Sequence, residues 1–326
     1  MTEGARVAGS TEISKAIPKH YPFFIDLLIR LVRQKPLGTV GGVIVLVLFL
    51  VGIFAPLLAP FGFNEIYVGG PLEQPSLNHL MGTDNIGRDL FSRIVYGARI
   101  SMYVGLGAST IGAFLATAIG TISGYIGGKT DIVIQRLVDA WMCFPALFIL
   151  LTVMAIVGPG LVQVTVVLGI LYGIGSSRIV RSTVISIKSN TYIEAARAIG
   201  CPISKTLLRH ILPNIMAPII ILFTINMGAA ILAEASISFL GFGIPPPTPS
   251  WGGMLSETRF MLQAWWLAIW PGIALSVVVY GINMLGDALR DLLDPRLRGG
   301  LGRYGGVSKK LIKENKRQIA RATIKN

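Results

Sequence analysis

Charge is scarce in this chain: Asp, Glu, Lys and Arg make up 14% of its 326 residues, against roughly 25% in ordinary soluble domains. Histidine is scarcer, at three residues, and there are two cysteines, Cys143 and Cys201, far apart and without ligand-spaced histidines. That excludes a disulfide framework and a zinc site. No Gly-x-x-x-x-Gly-Lys-Ser/Thr loop is present, so the chain lacks the usual cradle for ATP phosphates. No nucleophile and base stand out at a spacing that would make a hydrolase. No internal repeat is visible, which argues against a secondary transporter built from repeated halves. A cleavable signal peptide is not expected either: the polar N-terminal stretch is too long, and the first apolar run lacks a small-residue cleavage site.

What is abundant is apolar sequence. Hydrophobic residues reach 52%, and mean hydropathy is +0.66. Length alone would suit about two soluble domains, but long uncharged runs override it, since a membrane span needs about 20 apolar residues. Six transmembrane helices are expected. Residues 38–60 carry no charge and form span one. Residues 61–97 form a polar loop, and residues 100–128 form span two. Lys129, Asp131 and Arg136 mark a short turn. Residues 140–177 are uncharged, too long for one span, and Gly158-Pro159-Gly160 divides them into spans three and four. Span five covers residues 215–240 and contains Glu234; a proline-rich loop follows. Span six covers residues 266–289, with Trp265, Trp266 and Trp270 at its start as an interfacial aromatic belt. Residues 23–32 read as an amphipathic surface helix. In span two, Ala108, Gly112, Ala116, Gly120 and Gly124 recur every four residues, a ridge of small side chains that lets another helix or subunit come close.

Six spans place both termini on one side. That side holds 25 of the 29 Lys and Arg; the other holds Arg88, Arg93, Arg99 and Arg259. Positive residues stay inside, so both termini face the cytoplasm and the protein is expected in the cell membrane. The net charge of +13 is a topology signal and a match to anionic lipid headgroups, and nucleic acid is not needed to explain it. The expected division is an N-terminal cytoplasmic segment 1–37, the first span with its extracytoplasmic loop 38–97, a transmembrane core 98–291, and a basic tail 292–326.

Between spans four and five lies a polar, basic, well-punctuated stretch, residues 190–214. Ser189, Asn190 or Thr191 can cap a first short helix over residues 192–199. Gly200 offers a left-handed stop, and Pro202 cannot continue that helix. A second helix, from Ile203, has Leu207, Leu208 and Ile211 on one apolar face, and Pro213 is expected to end it. Glu194 is the loop's one carboxylate and could pair with Arg197 three residues on.

Glu194-Ala195-Ala196, then Gly200, then Ile211-Leu212-Pro213 resemble the EAA loop of ABC importer permeases, with the full spacing. Further segments extend the likeness: His79-Leu80-Met81-Gly82-Thr83-Asp84 through Asp89, residues 233–241, Pro246 to Gly252, and Asp294-Pro295-Arg296-Leu297-Arg298. Over residues 30–298 the chain resembles the C-type permease subunit of the oligopeptide, dipeptide and nickel ABC importers. The tail from Gly299 departs from that pattern, in which chains tend to stop soon after Asp-Pro-Arg-Leu-Arg.

The resemblance implies an all-α polytopic membrane protein of the type I ABC importer permease fold, with a cytoplasmic coupling helix between helices 4 and 5. It implies a homologous second permease subunit, two cytoplasmic ATP-binding subunits that bind ATP and Mg in place of this chain, and an extracytoplasmic solute-binding protein. Di- or oligopeptides are the implied substrate; nickel or another small solute is the alternative, and an ion-coupled secondary transporter is the rival class. Glu194, Ala195, Ala196, Gly200, Ile211, Leu212 and Pro213 are the implied ATPase-coupling residues. Two further features come from the residues themselves. Glu234, inside span five, is a costly membrane carboxylate, worth about 2.5–3.5 kcal/mol on insertion scales; it either lines the pathway or gate, or is a structural partner of Arg99 or a hydroxyl. In the extracytoplasmic loop, Asp84, Arg88 and Asp89 form no catalytic site, and Asp84 reads as a helix cap.

Overall fold

The computed structural model describes residues 23–261 and 263–293. The expectations for the first 22 residues, for the Asp294-to-Arg298 segment and for the basic tail fall outside them. Among the described residues the structure is helical, and its one strand-like pairing is an isolated bridge between Thr83 and Asp89.

The residue before a proline avoids helical geometry, so α1 (Phe23–Gln34) is separated from α2 (Pro36–Ile53) at Lys35, and Pro36 opens the second helix. A single turn, α3 (Ala55–Leu58), follows, and a long loop leads to α4 (Leu90–Ile126). Span two therefore begins about ten residues earlier than the charge pattern implied, because Arg93 and Arg99 are inside the helix: Arg99 donates through Nε to Gly52 O at 2.9 Å. Asp89, and not Asp84, caps α4, accepting from Ser92 N at 2.8 Å.

The expected turn at residues 129–136 is a helix, α5 (Gly128–Met142), followed by α6 (Ala146–Val157) at a bend of 84°. At 1.5 Å per residue α6 alone is about 18 Å long, short of the ~30 Å hydrocarbon layer. Span three is thus a broken element. Five other helical stretches are long and apolar enough to cross a membrane: Pro36–Ile53, Leu90–Ile126, Leu161–Lys188, Ile203–Phe239 and Trp265–Leu293. Within them run α7 (Leu161–Lys188), α10 (Leu212–Phe239) and α12 (Trp265–Leu293); the shorter α11 (Trp251–Glu257) and one 3-10 turn precede α12.

The small-residue ridge on α4 packs against α7. A β-carbon at Gly112 would sit 3.3 Å from Gly169 O, one at Gly120 2.6 Å from Ser177 O, and one at Gly124 2.9 Å from Arg181 O. α7 answers with its own four-residue spacing, Gly169, Gly173 and Ser177. The seam lies within one chain, where backbones approach because side chains are absent. The α10–α12 pair closes the bundle against α4 and α2, with Met227, Ile231, Leu48, Trp251 and Ile282 buried together. Trp266 is no belt residue: it is 3% exposed, and its Nε1 donates to Thr83 O at 3.1 Å, fixing the 59–89 loop to the start of α12. Trp265 is exposed, as a belt residue would be.

Candidate functional site

At the end of the bundle opposite the 59–89 loop, α7 gives way to α8 (Thr191–Ala198) and α9 (Ile203–Thr206). Asn190 occupies the N-cap position without a side-chain capping bond. At the other end of α8 the chain makes a Schellman turn: Cys201 N donates to Ala196 O at 3.0 Å, and Gly200 N to Arg197 O at 2.9 Å. That turn needs a left-handed residue, and Gly200 has φ of 77°.

Pro213 does not end the second helix. α9 passes through a π-helical turn, Leu207–Ile211, in which Leu212 N bonds to Leu207 O, and continues as α10. Proline brings no N–H and crowds the preceding turn; widening that turn absorbs it. The Asn214 amide caps the His210 carbonyl at 2.6 Å.

The loop has two faces. Ile193, Ile211 and Ile215 are buried with Tyr125, Val180 and Val184, and Ala196 is buried too, so α8 is fastened to the membrane bundle. Glu194, Ala195, Ile199, Ile203, Leu208 and Pro213 are exposed, and Leu212 is half-buried. Glu194 has no ion-pair partner among the described residues. The alternative pair with Arg197 does not form: the Arg197 guanidinium lies over the Tyr125 ring, 5.0 Å from its centroid. A carboxylate and several large apolar side chains are thus held rigidly against solvent, an arrangement suited to protein docking.

Glu234 is 1% exposed. Its carboxylate accepts from Ser238 Oγ at 2.6 Å and lies beside the Ser250 hydroxyl. The hydroxyl alternative therefore holds and the Arg99 alternative does not, since Arg99 is engaged with the carbonyls of Gly52 and Ile53. Ser238 also receives Ile244 N, and Ser250 caps α11 through Gly253 N. Glu234 thereby ties the end of α10 to the segment that shapes a cleft of about 340 Å³, lined among others by Arg93, Ser238, Ser250 and Glu257.

Asp84, Arg88 and Asp89 are brought together, but as a buried ionic core. Asp84 accepts from Ile86 N, from Arg88 N and, at 2.5 Å, from Arg88 Nε. Asp89 holds His79 Nδ1 at 3.1 Å. Arg88 and Arg93 also lie 3.5 and 3.7 Å from Glu257 on α11. Burial pushes the Glu257 carboxyl above its ordinary range, and Arg93 and Arg88 pull against that rise. Arg93 and Glu257 were not singled out from the sequence. They are 164 residues apart, and no local spacing signals the pair. Among the described residues no group of three His, Cys, Asp or Glu could hold a metal ion.

The comparisons with known proteins agree in direction. A family model described as "Binding-protein-dependent transport system inner membrane component" matches residues 88–299, and one for the N-terminal TM domain of oligopeptide transport permease C matches residues 24–75. The dipeptide transport system permease protein DppC of Alkalihalophilus pseudofirmus is 41% identical over 267 residues, 82% of this chain and 88% of that protein. The glutathione transport system permease protein GsiD of Escherichia coli is 39% identical over 269 residues, 82% of this chain and 89% of that one. Among solved structures, the inward-facing MetNI methionine ABC transporter aligns with a TM-score of 0.53 at 18% identity, covering 62% of this chain and 96% of the matched chain. That last likeness is one of fold.

Proposed function

The chain belongs to the binding-protein-dependent transport-system inner-membrane components, as a permease of the peptide-type ABC importers, and on that premise we propose that residues 189–214 form its docking element for a cytoplasmic ATPase subunit. The observation that carries this reading is the two-faced loop. Ile193 locks α8 into the bundle, while Glu194, Ala195, Ile199 and Ile203 face outward from a turn fixed by Gly200. Displacement of the docked partner would then reach the membrane helices through packed side chains. ATP and Mg belong to the ATPase subunits, and a homologous second permease completes the pathway. A solute-binding protein delivers substrate at the opposite end. The substrate class is di- or oligopeptides, in line with the names of the dipeptide and glutathione permeases that the chain resembles.

Both termini and the 189–214 loop are placed in the cytoplasm, and residues 59–89 outside. With Cys143 and Cys201 replaced by serine, a cysteine at exposed Gln74 is expected to react with an impermeant maleimide on intact cells. A cysteine at Ile199, 84% exposed, is expected to react only after the membrane is opened and the ATPase subunits are removed. Labelling of residue 199 in intact cells would reverse the orientation and remove the docking proposal.

A further inference from the structure

A continuous set of contacts runs from α8 to the elbow where α5 begins. Tyr125, near the end of α4, is buried. The Arg197 guanidinium from α8 lies over its ring, and Lys188 Nζ, at the end of α7, stands 5.6 Å from the same ring while donating to Tyr125 O at 2.6 Å. Two residues later Gly127 and Gly128, with φ of 72° and 57°, turn α4 into α5. Successive left-handed residues are a glycine conformation, and a β-carbon at Gly128 would meet nothing within 4 Å. The elbow is open at Gly128, and at Gly127 only Lys188 Nζ comes near, 3.7 Å from where a β-carbon would sit.

Beyond the elbow α5 is held by charge. Val138 is its one buried residue. Asp131 receives Arg181 Nε at 2.6 Å and the Ser123 hydroxyl, and Asp139 pairs with Arg178 and Arg136. The bidentate Asp131–Arg181 pair, half-buried, tethers the start of α5 to α7, whereas the Asp139 pairs lie at the exposed surface, where ion pairs hold weakly and tolerate rearrangement, unlike the interlocked α4–α7 seam. At its far end α5 meets α6 at the 84° bend, beside a cleft of about 450 Å³ lined by Trp141, Phe144, Pro145, Leu171, Tyr172 and Ser176. A shift of α5 about its glycine elbow would change that cleft.

We propose that Arg197 and Tyr125 are positioning residues that transmit movement of α8 to the α4–α5 elbow, and so to the α5–α6 bend beside this cleft. The inference rests on the docking role of residues 189–214. It separates two jobs on one short helix: Glu194 and its exposed neighbours contact the ATPase, whereas Arg197 turns back to the membrane bundle. A cation over a ring shifts an equilibrium by about two- to fivefold when exposed and by more when desolvated, a useful size for biasing two arrangements of one element.

The test uses the full importer, both permeases with ATPase subunits and binding protein, in liposomes. Arg197→Gln and Tyr125→Leu remove the contact; Arg197→Lys keeps the cation, and Tyr125→Phe keeps the ring. Retained ATPase subunits, ATP hydrolysis and dipeptide uptake are measured for each. The proposal expects all four to keep their ATPase subunits. The first two should move roughly two- to fivefold less peptide per ATP, and the conservative pair should stay within about 1.5-fold of the parent. Loss of ATPase subunits from Arg197→Gln would make Arg197 a docking residue and overturn the relay. So would parental coupling in Arg197→Gln, or an equal fall in Tyr125→Phe and Tyr125→Leu. If Tyr125→Leu fails to assemble, Arg197→Gln decides, since Arg197 is exposed and leaves no buried cavity when shortened. Failure of the docking role itself would show separately, as parental uptake in both Glu194→Lys and Gly200→Val.

Discussion

Leucine at Gly120 is expected to lower both the yield and the thermal stability of the permease sharply. A β-carbon there would lie 2.6 Å from Ser177 O, 2.7 Å from Val180 Cβ and 2.8 Å from Arg181 N. Two of those three atoms belong to the α7 backbone and cannot rotate away. Overpacking ordinarily costs about 1–3 kcal/mol, and a contact with backbone in the tightly packed α4–α7 seam belongs at or above the upper end. Leucine at Gly112 is expected to do less, because its nearest neighbour, Gly169 O, is 3.3 Å away. Phe114, 72% exposed on the same helix, supplies the control: Phe114→Leu should leave yield and thermal stability unchanged. Thermal unfolding of the purified protein orders the three. Equal stability of Gly120→Leu and Phe114→Leu would mean that α4 and α7 do not pack along this ridge.

Gly200→Val and Glu194→Lys are expected to leave normal amounts of permease in the membrane while dipeptide uptake falls at least about tenfold, as expected for a differential contact of about 1.4 kcal/mol or more. Space is not the issue at Gly200, since a β-carbon would meet nothing within 4 Å. The cost lies in the backbone. A left-handed conformation costs an L-residue about 1–2 kcal/mol, and a β-branched one more. The Schellman turn should open, and α9 should leave α8 at another angle. Gly200→Asn tests that cause, because asparagine tolerates this conformation and should preserve most uptake. Glu194 is exposed and unpaired among the described residues, so reversing its charge alters the surface offered to a partner and little else. Uptake near the parental level in both variants would remove the loop from the mechanism. Disappearance of the protein would make the loop a folding element.

The loop was legible because its signals are local. Gly200 and Pro202 punctuate, and the helical spacing of Leu207, Leu208 and Ile211 needs no distant partner. The α4 ridge was legible as a period of four, although not its partner, whose glycines on α7 read as ordinary apolar sequence. Distance in sequence hid the rest. Lys129, Asp131 and Arg136 resemble a turn until Asp131 meets Arg181, 50 residues on. Asp84 and Asp89 both precede an apolar run, and only the chain path shows that Asp84 closes its own loop on Arg88 while Asp89 caps α4. Glu234 has one partner at helical spacing, Ser238, and a second, Ser250, supplied by the next helix. Pro213 reads as a stop because a π-helical turn before it cannot be inferred from composition.

The docking surface itself can be probed most directly by photo-crosslinking within the assembled importer. A photoreactive residue at Ile199 is expected to capture an ATPase subunit in high yield, and one at Leu77, 97% exposed on the 59–89 loop, to capture none. Capture from position 77, or its absence from 199 in a complex that still transports peptide, would contradict the assignment of residues 189–214 as the point where ATP-driven movement enters the membrane.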